Sequence, residues 1–170
     1  QQIGDDDIAA VAQVLRGDTL TTGPKVVELE EALGQATDAS HAVACSSGTA
    51  ALHLAAMALN LGPGDKVVVP ALTFLATANV VRLTRAEVVF ADVDSATGLM
   101  GPEELAATLA RDGSRRVKAV FSVHYAGQCV APDELAAAAN GLPVVADSCH
   151  ALGTAYGADG KVGDCRHAVM

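Results

Sequence analysis

Two groups of residues in this chain have the types and spacing that chemistry needs. The first is Cys45-Ser46-Ser47-Gly48-Thr49-Ala50-Ala51-Leu52, which joins a short apolar run, 41–45, to a strongly helical run, 48–60. A helix that opens there presents backbone N–H groups without intrahelical acceptors and the positive end of its dipole, with the hydroxyls of Ser46, Ser47 and Thr49 alongside. That is a site for a phosphate. The plainer reading is that Ser47 or Thr49 only caps a buried helix. The second group is Asp147-Ser148-Cys149-His150, which follows the apolar run 142–146. A carboxylate at the end of such a run is partly buried and needs a cationic or hydrogen-bonding partner, unless Asp147 is itself the N-cap of a helix over 148–152. His150 is either a functional imidazole or a structural one. Ser47, His150 and Asp147 together suggest a Ser/His/Asp hydrolase, but the G-x-S-x-G elbow is absent. Phe74, one of the few aromatics (Tyr 2, Phe 3), is either core or a plate on which a flat ring could stack.

Such residues need a scaffold, and the surrounding pattern supplies one. Helices are expected over 5–16, where Ile8, Val11, Ala12 and Leu15 share a face behind three N-terminal aspartates, and from Pro24 onward, with Val26, Leu29, Leu33 and Val27 as the apolar side. The polar loop 18–24 separates them. The run 41–45 reads as a strand leading into the helix 48–60. From there strand and helix alternate: strand 66–70, helix 73–83, strand 87–91, helix 102–111, strand 117–123, helix 132–140, strand 143–146. Strands apolar throughout and separated by helices predict an α/β fold, a parallel or mostly parallel sheet covered on both faces. Ligands in such sheets bind outside the carboxyl ends of the strands. Ser46 to Thr49, Thr73 and Phe74, Asp92 and Asp94, His124 and Tyr125, and Asp147 to His150 all follow a strand. Gly62-Pro63-Gly64 precedes a strand and lacks a third glycine, so it is a turn and no dinucleotide fingerprint.

Composition bounds what the protein does. With 51% hydrophobic residues in a chain of 170 and a mean hydropathy of +0.32, it buries a sizeable core made chiefly of Ala, Val and Leu. The net charge is -9, from 20 acidic and 11 basic residues. No basic run is longer than Arg115-Arg116, so nucleic acid and anionic membranes are poor partners. Cys45, Cys129, Cys149 and Cys165 lack C-x-x-C spacing, which points to free thiols and no metal site. No apolar run approaches the roughly 20 residues that span a bilayer, and the N-terminus lacks a basic segment before an apolar one. A cytoplasmic location is therefore expected. The chain opens without Met and stops within an ordinary stretch, so further sequence is expected at both ends.

Five blocks carry a resemblance in the right order: Leu-Thr-Thr-Gly-Pro (20–24), Val-Ala-Cys-Ser-Ser-Gly-Thr-Ala-Ala-Leu-His-Leu (43–54), Gly-Pro-Gly-Asp-Lys-Val-Val-Val-Pro-Ala-Leu-Thr-Phe-Leu-Ala-Thr-Ala-Asn (62–79), Val-His-Tyr-Ala-Gly-Gln (123–128) and Ala-Asp-Ser-Cys-His-Ala-Leu-Gly (146–153). The chain resembles the DegT/DnrJ/EryC1/StrS sugar aminotransferases, pyridoxal-phosphate (PLP) enzymes of fold type I. Within that family it looks most like the nucleotide-sugar 4-aminotransferases of pseudaminic acid biosynthesis, on His150 and on Val162-Gly163-Asp164-Cys165-Arg166.

The resemblance implies that Ser47, Gly48 and Thr49 hold the cofactor phosphate and that Phe74 stacks on the pyridine ring. It implies that Asp147 pairs with the ring nitrogen and that His150, where many relatives have Gln, lies near the phenolic oxygen; Asp147 and His150 would be the catalytic residues in this chain. It further implies L-glutamate as amino donor, a UDP-linked 4-keto-6-deoxy sugar as acceptor, and a homodimer. Ala146 departs from the acidic residue that relatives carry before the Asp. The Schiff-base lysine lies, in the family, in a Ser-Phe-His-Pro-x-Lys-like stretch that Lys25, Lys66, Lys118 and Lys161 do not match. Residues 1–170 are thus expected to be the N-terminal segment and part of the large PLP-binding domain, without the rest of that domain or the small C-terminal domain. Family members that replace the lysine by His dehydrate sugars at C-3, and a non-catalytic truncated paralogue is a third possibility; these 170 residues do not separate the three. A partial domain should leave apolar faces uncovered, notably along 52–61 and 67–81.

Overall fold

Valine-rich runs too short for helices pair into a sheet, and the Ala- and Leu-rich runs between them coil over it. The computed structural model describes residues 2–157, 160–164 and 168–169. In chain order the helices are α1 (Asp5–Leu15), α2 (Pro24–Thr37), α3 (Gly48–Ala58), α4 (Leu75–Leu83), α5 (Pro102–Asp112) and α6 (Pro132–Ala139). The strands are β1 (Lys66–Pro70), β2 (Glu87–Ala91), β3 (Val117–Val123), β4 (Val144–Asp147), the short hairpin β5 (Ala155–Tyr156) and β6 (Gly160–Lys161), and β7 (Ala168–Val169). The main sheet is parallel, in the order β2-β1-β3-β4-β7. The α/β class and the parallel sheet are as the sequence predicts.

Successive side chains of a strand point to opposite faces, and here both faces are buried. Val67, Val69, Phe121 and Val145 pack with Leu52, Ala56, Val80 and Val81 of α3 and α4 on one side. Val68, Val120 and Val144 pack with Leu105, Leu135 and Ala139 of α5 and α6 on the other. This is why the strands read as continuous apolar runs without alternation.

The connections place the site. From β1 the chain moves outward to β2 through α4, then returns past β1 to β3 through α5, so successive crossovers lie on opposite faces and the sheet has a switch point between β1 and β3. Crevices form at the carboxyl ends of the strands where the winding reverses. Thr73, Phe74, His124 and Tyr125 stand there.

Three features differ from expectation. Residues 41–45 are not a strand: a strand needs a ladder partner, and the Ala44 N–H instead donates to Glu30 Oε1 of α2 at 2.8 Å. Helix α4 starts at Leu75 because Phe74 is extended (φ -67°, ψ 140°) and serves as its N-cap. No helix follows Asp147; Ala151 N–H donates to the Ser148 carbonyl at 2.8 Å in a turn. The segments 52–61 and 67–81 bury part of their apolar residues and leave Leu54, Met57, Leu72, Phe74 and Leu75 exposed, as expected of them. Exposed apolar residues also lie on α1 (Ile8, Val11, Leu15) and α2 (Val26, Val27, Leu29). No residue of α1 is buried. Among the described residues no helix is long and apolar enough to cross a membrane. Cys165 and Arg166 lie outside the described residues.

Candidate active site

Asp147 is the last residue of β4 and is 7% exposed. Its place is fixed by the ladder: Val123 pairs with Asp147, and His124 N–H donates to the Asp147 carbonyl at 3.0 Å. The side chain is held as well. Asp147 Oδ2 accepts from Thr77 Oγ1 at 2.9 Å, and Oδ1 accepts from the Cys149 N–H at 3.3 Å. Two donors therefore replace the solvation that burial removes.

His124, 7% exposed, lies beside this carboxylate, and its Nδ1 and Ser148 Oγ are joined by a 3.1 Å hydrogen bond. Burial holds the imidazole below its ordinary pKa, with the Asp147 charge pulling it partly back up, so at neutral pH the ring is neutral. Burial likewise pushes the Cys149 thiol up to about 11, with the hydrogen bond to Asp147 and its charge adding to the effect.

Two clefts share Asp147 and Cys149. One, about 330 Å³, is lined by Thr73, Phe74, His124, Tyr125, His150 and their neighbours, within the range of small-molecule sites. The other, about 180 Å³, runs between Asp147 and the start of α3 at Gly48 and Ala51. Phe74 is 72% exposed, so it is a rim residue and not core. The turn Tyr125–Gly127 closes against the Asp147 loop: Thr154 Oγ1 donates to the Gly127 carbonyl at 3.2 Å. Gly127 adopts φ +84° there, and a β-carbon on it would stand 3.1 Å from the His150 carbonyl oxygen, so both conformation and space favour glycine.

At the far end Ser47 caps α3, its Oγ accepting from the Ala50 N–H at 3.2 Å. Of the two caps the sequence allows, Ser47 is therefore the one used. The hydroxyl proton of Ser47 remains available to an anion, as do the first-turn N–H groups of Gly48 and Thr49, which have no intrahelical acceptor. Capping and anion binding are compatible. Asp147 is satisfied by Thr77 and Cys149 and not by His150, and among the described residues no hydrogen bond joins Ser47 to His150. A catalytic triad is not assembled.

A family model described as the DegT/DnrJ/EryC1/StrS aminotransferase family matches residues 1–169. The chain belongs to this family. It is 42% identical over 167 residues, 96% of this chain and 42% of the other, to the UDP-4-amino-4-deoxy-L-arabinose–oxoglutarate aminotransferase of Shewanella sediminis. Among solved structures it is similar to a Streptococcus pneumoniae chain classed as a sugar aminotransferase, in its PLP form (TM-score 0.83, 31% identity, 91% of this chain and 43% of that one). It is also similar to Helicobacter pylori PseC, an aminotransferase of pseudaminic acid biosynthesis (TM-score 0.82, 29% identity, 95% and 43%). This DegT-family chain thus spans about two fifths of the length of the relatives it matches. Its fold is that of the fold type I aminotransferases.

The sequence singled out Ser47, Gly48, Thr49, Phe74, Asp147 and His150, and the structure gathers Gly48, Phe74, Asp147 and His150 around the two joined clefts. The sequence assigns no role to Thr73 and Cys149, though both follow a strand, and does not single out Thr77, yet Thr77 and Cys149 hold Asp147 and Thr73 holds Thr77. The signal for the threonines was present: they are four residues apart in an apolar run, the spacing that stacks two side chains on one helix face.

Proposed function

We propose that this chain carries the cofactor-binding part of a PLP-dependent nucleotide-sugar aminotransferase. The intact enzyme would move an amino group from L-glutamate to a UDP-linked 4-keto sugar. The observation that carries the reading is Asp147: a buried carboxylate, held by two donors, at the junction of a ring-sized cleft and a helix N-terminus.

The residues present fit PLP. The N–H groups of Gly48 and Thr49 and the hydroxyl of Ser47 suit its phosphate, the exposed face of Phe74 suits its ring, and His150 suits its phenolic oxygen. Asp147 would keep the ring nitrogen protonated. The cofactor supplies an electron sink whose strength depends on that proton. What the chain itself does is hold the phosphate, orient the ring and fix one proton at the nitrogen. The Schiff-base lysine and the small domain would come from sequence outside residues 1–170, and the family resemblance favours a cytoplasmic homodimer.

The acceptor is the finer question. The arabinose relative, at 42% identity, favours a UDP-pentose, whereas His150 favours the 6-deoxy sugar of the pseudaminic type. The test is to incubate the full-length protein carrying this chain with PLP, L-glutamate and either UDP-4-keto sugar, and to follow the amino sugar by mass spectrometry. Glutamate-dependent amination of one of them is expected. Loss of water at C-3 without amination would overturn the reading.

A further inference from the structure

Thr77 is completely buried in α4, yet its side chain is polar. Burying a hydroxyl inside an apolar helix costs about 1–3 kcal/mol unless a partner is found, and this one has two. Thr77 Oγ1 lies 2.9 Å from Asp147 Oδ2 and 2.9 Å from Thr73 Oγ1. An ionised carboxylate can only accept, so Thr77 must donate to Asp147. Its oxygen is then free to accept from Thr73. Thr73 has one proton and a second acceptor within reach, the Phe74 carbonyl at 3.2 Å; the Thr77 oxygen is nearer. Thr73 lines the 330 Å³ cleft beside Phe74.

The geometry points to Thr77 as the positioning residue that aims the Asp147 carboxylate, with Thr73 as the outer member of a two-hydroxyl relay running from the cleft wall to that carboxylate. The inference rests on the reading of Asp147 as the partner of the PLP ring nitrogen. The Thr77 bond anchors Oδ2 and the Cys149 N–H anchors Oδ1, so the plane of the carboxylate is set from both sides. Each hydroxyl in the chain polarises the next, so loss of Thr73 weakens the donor that Thr77 offers.

The experiment uses the full-length protein and three variants: Thr77→Val, which keeps shape and removes the hydroxyl, Thr77→Ser, which keeps the hydroxyl, and Thr73→Val. The readouts are PLP affinity by equilibrium dialysis and the protonation of bound, 15N-labelled PLP at its ring nitrogen by NMR. Thr77→Val should weaken PLP about tenfold or more, as expected for a lost hydrogen bond to a charged group, and shift the nitrogen signal toward the unprotonated form. Thr77→Ser should restore both to within about threefold of wild type, and Thr73→Val should move both in the same direction by a smaller factor. Wild-type affinity and nitrogen signal in Thr77→Val would overturn the inference, as would failure of Thr77→Ser to restore them. If Thr77→Val does not fold, Thr73→Val decides, since an unchanged nitrogen signal there removes the relay. Asp147→Asn separates the two levels. If it leaves the nitrogen signal unchanged, the reading of Asp147 fails; if it moves the signal while Thr77→Val does not, only the relay fails.

Discussion

A β-carbon on Gly48 would lie 2.5 Å from Cys149 Sγ, so the first residue of α3 and the loop after β4 touch where either side chain could otherwise grow. On helix propensity alone, Gly48→Ala should stabilise the protein by up to about 1 kcal/mol. The clash opposes that gain: Cys149 Sγ, the end of an exposed side chain, must turn aside, so the gain is cancelled or turned into a loss of up to about 1 kcal/mol. Adding Cys149→Ala should recover most of the gain. Urea denaturation of the two single variants and the double variant checks this, and additive effects would mean that the two residues are not coupled.

Removing the carboxylate should separate folding from turnover. On the proposed reading, Asp147→Ala in the full-length protein is expected to leave far-UV circular dichroism unchanged and to lower kcat by roughly a hundredfold or more, because the group that would hold a proton on the ring nitrogen is gone. Steady-state kinetics with saturating glutamate measures it. Near-normal transamination would show that Asp147 has another role.

The buried His124 predicts a pH effect with a definite sign. Its folded pKa lies below the ordinary 6.5, chiefly through desolvation, so below about pH 6.5 the unfolded chain binds a proton that the folded one does not. Stability must then fall as pH drops through 6.5 toward the folded value, by at most about 1.4 kcal/mol per pH unit from this group, and level off beneath it. His124→Gln should flatten that part of the curve. Denaturant midpoints at pH 7.5, 6.5 and 5.5 for both proteins are the measurement, and equal slopes would exclude His124 as the source.

Cys149 is exposed yet should be a sluggish nucleophile. With its thiol at about 11, only about one part in a thousand is thiolate at pH 8, against roughly a quarter for an ordinary cysteine of pKa about 8.5. Iodoacetamide should therefore label Cys149 slowly, and Asp147→Asn should speed labelling by removing the neighbouring charge. Peptide mass spectrometry over a time course reads both. Rapid labelling of Cys149 in the unmodified protein would contradict the assigned environment.

Much of this could be read from the chain because the residues concerned act locally. Strands covered on both faces are apolar at most positions, so 66–70 and 117–123 stand out without a structure, as does the edge strand 87–91, and all three bounds coincide with β1, β2 and β3. Ser47 and Asp147 stand out for the same reason, each being a polar residue at the end of an apolar run. Whether 41–45 pairs depends on a partner that local sequence does not encode, so its apolar pattern misleads. Thr77 was hidden because a threonine in a helix gives no sign of its acceptor when that acceptor is 70 residues away. The hairpin of β5 and β6 is two residues per strand, below the length at which alternation can be seen.

The pairing of Val123 with Asp147 makes the sheet a measuring rule. Because side chains alternate faces along a strand, sliding β4 by one residue against β3 would turn Asp147 toward α5 and α6 and bring Ala146 to the α3 and α4 side. Deleting one residue from 144–146 would therefore erase the acceptor of Thr77 while leaving composition almost untouched. Alignment of Asp147 with Thr77 is thus written in backbone hydrogen bonds, and a strand a single residue out of step would keep the composition of the family but lose the buried carboxylate at the cleft.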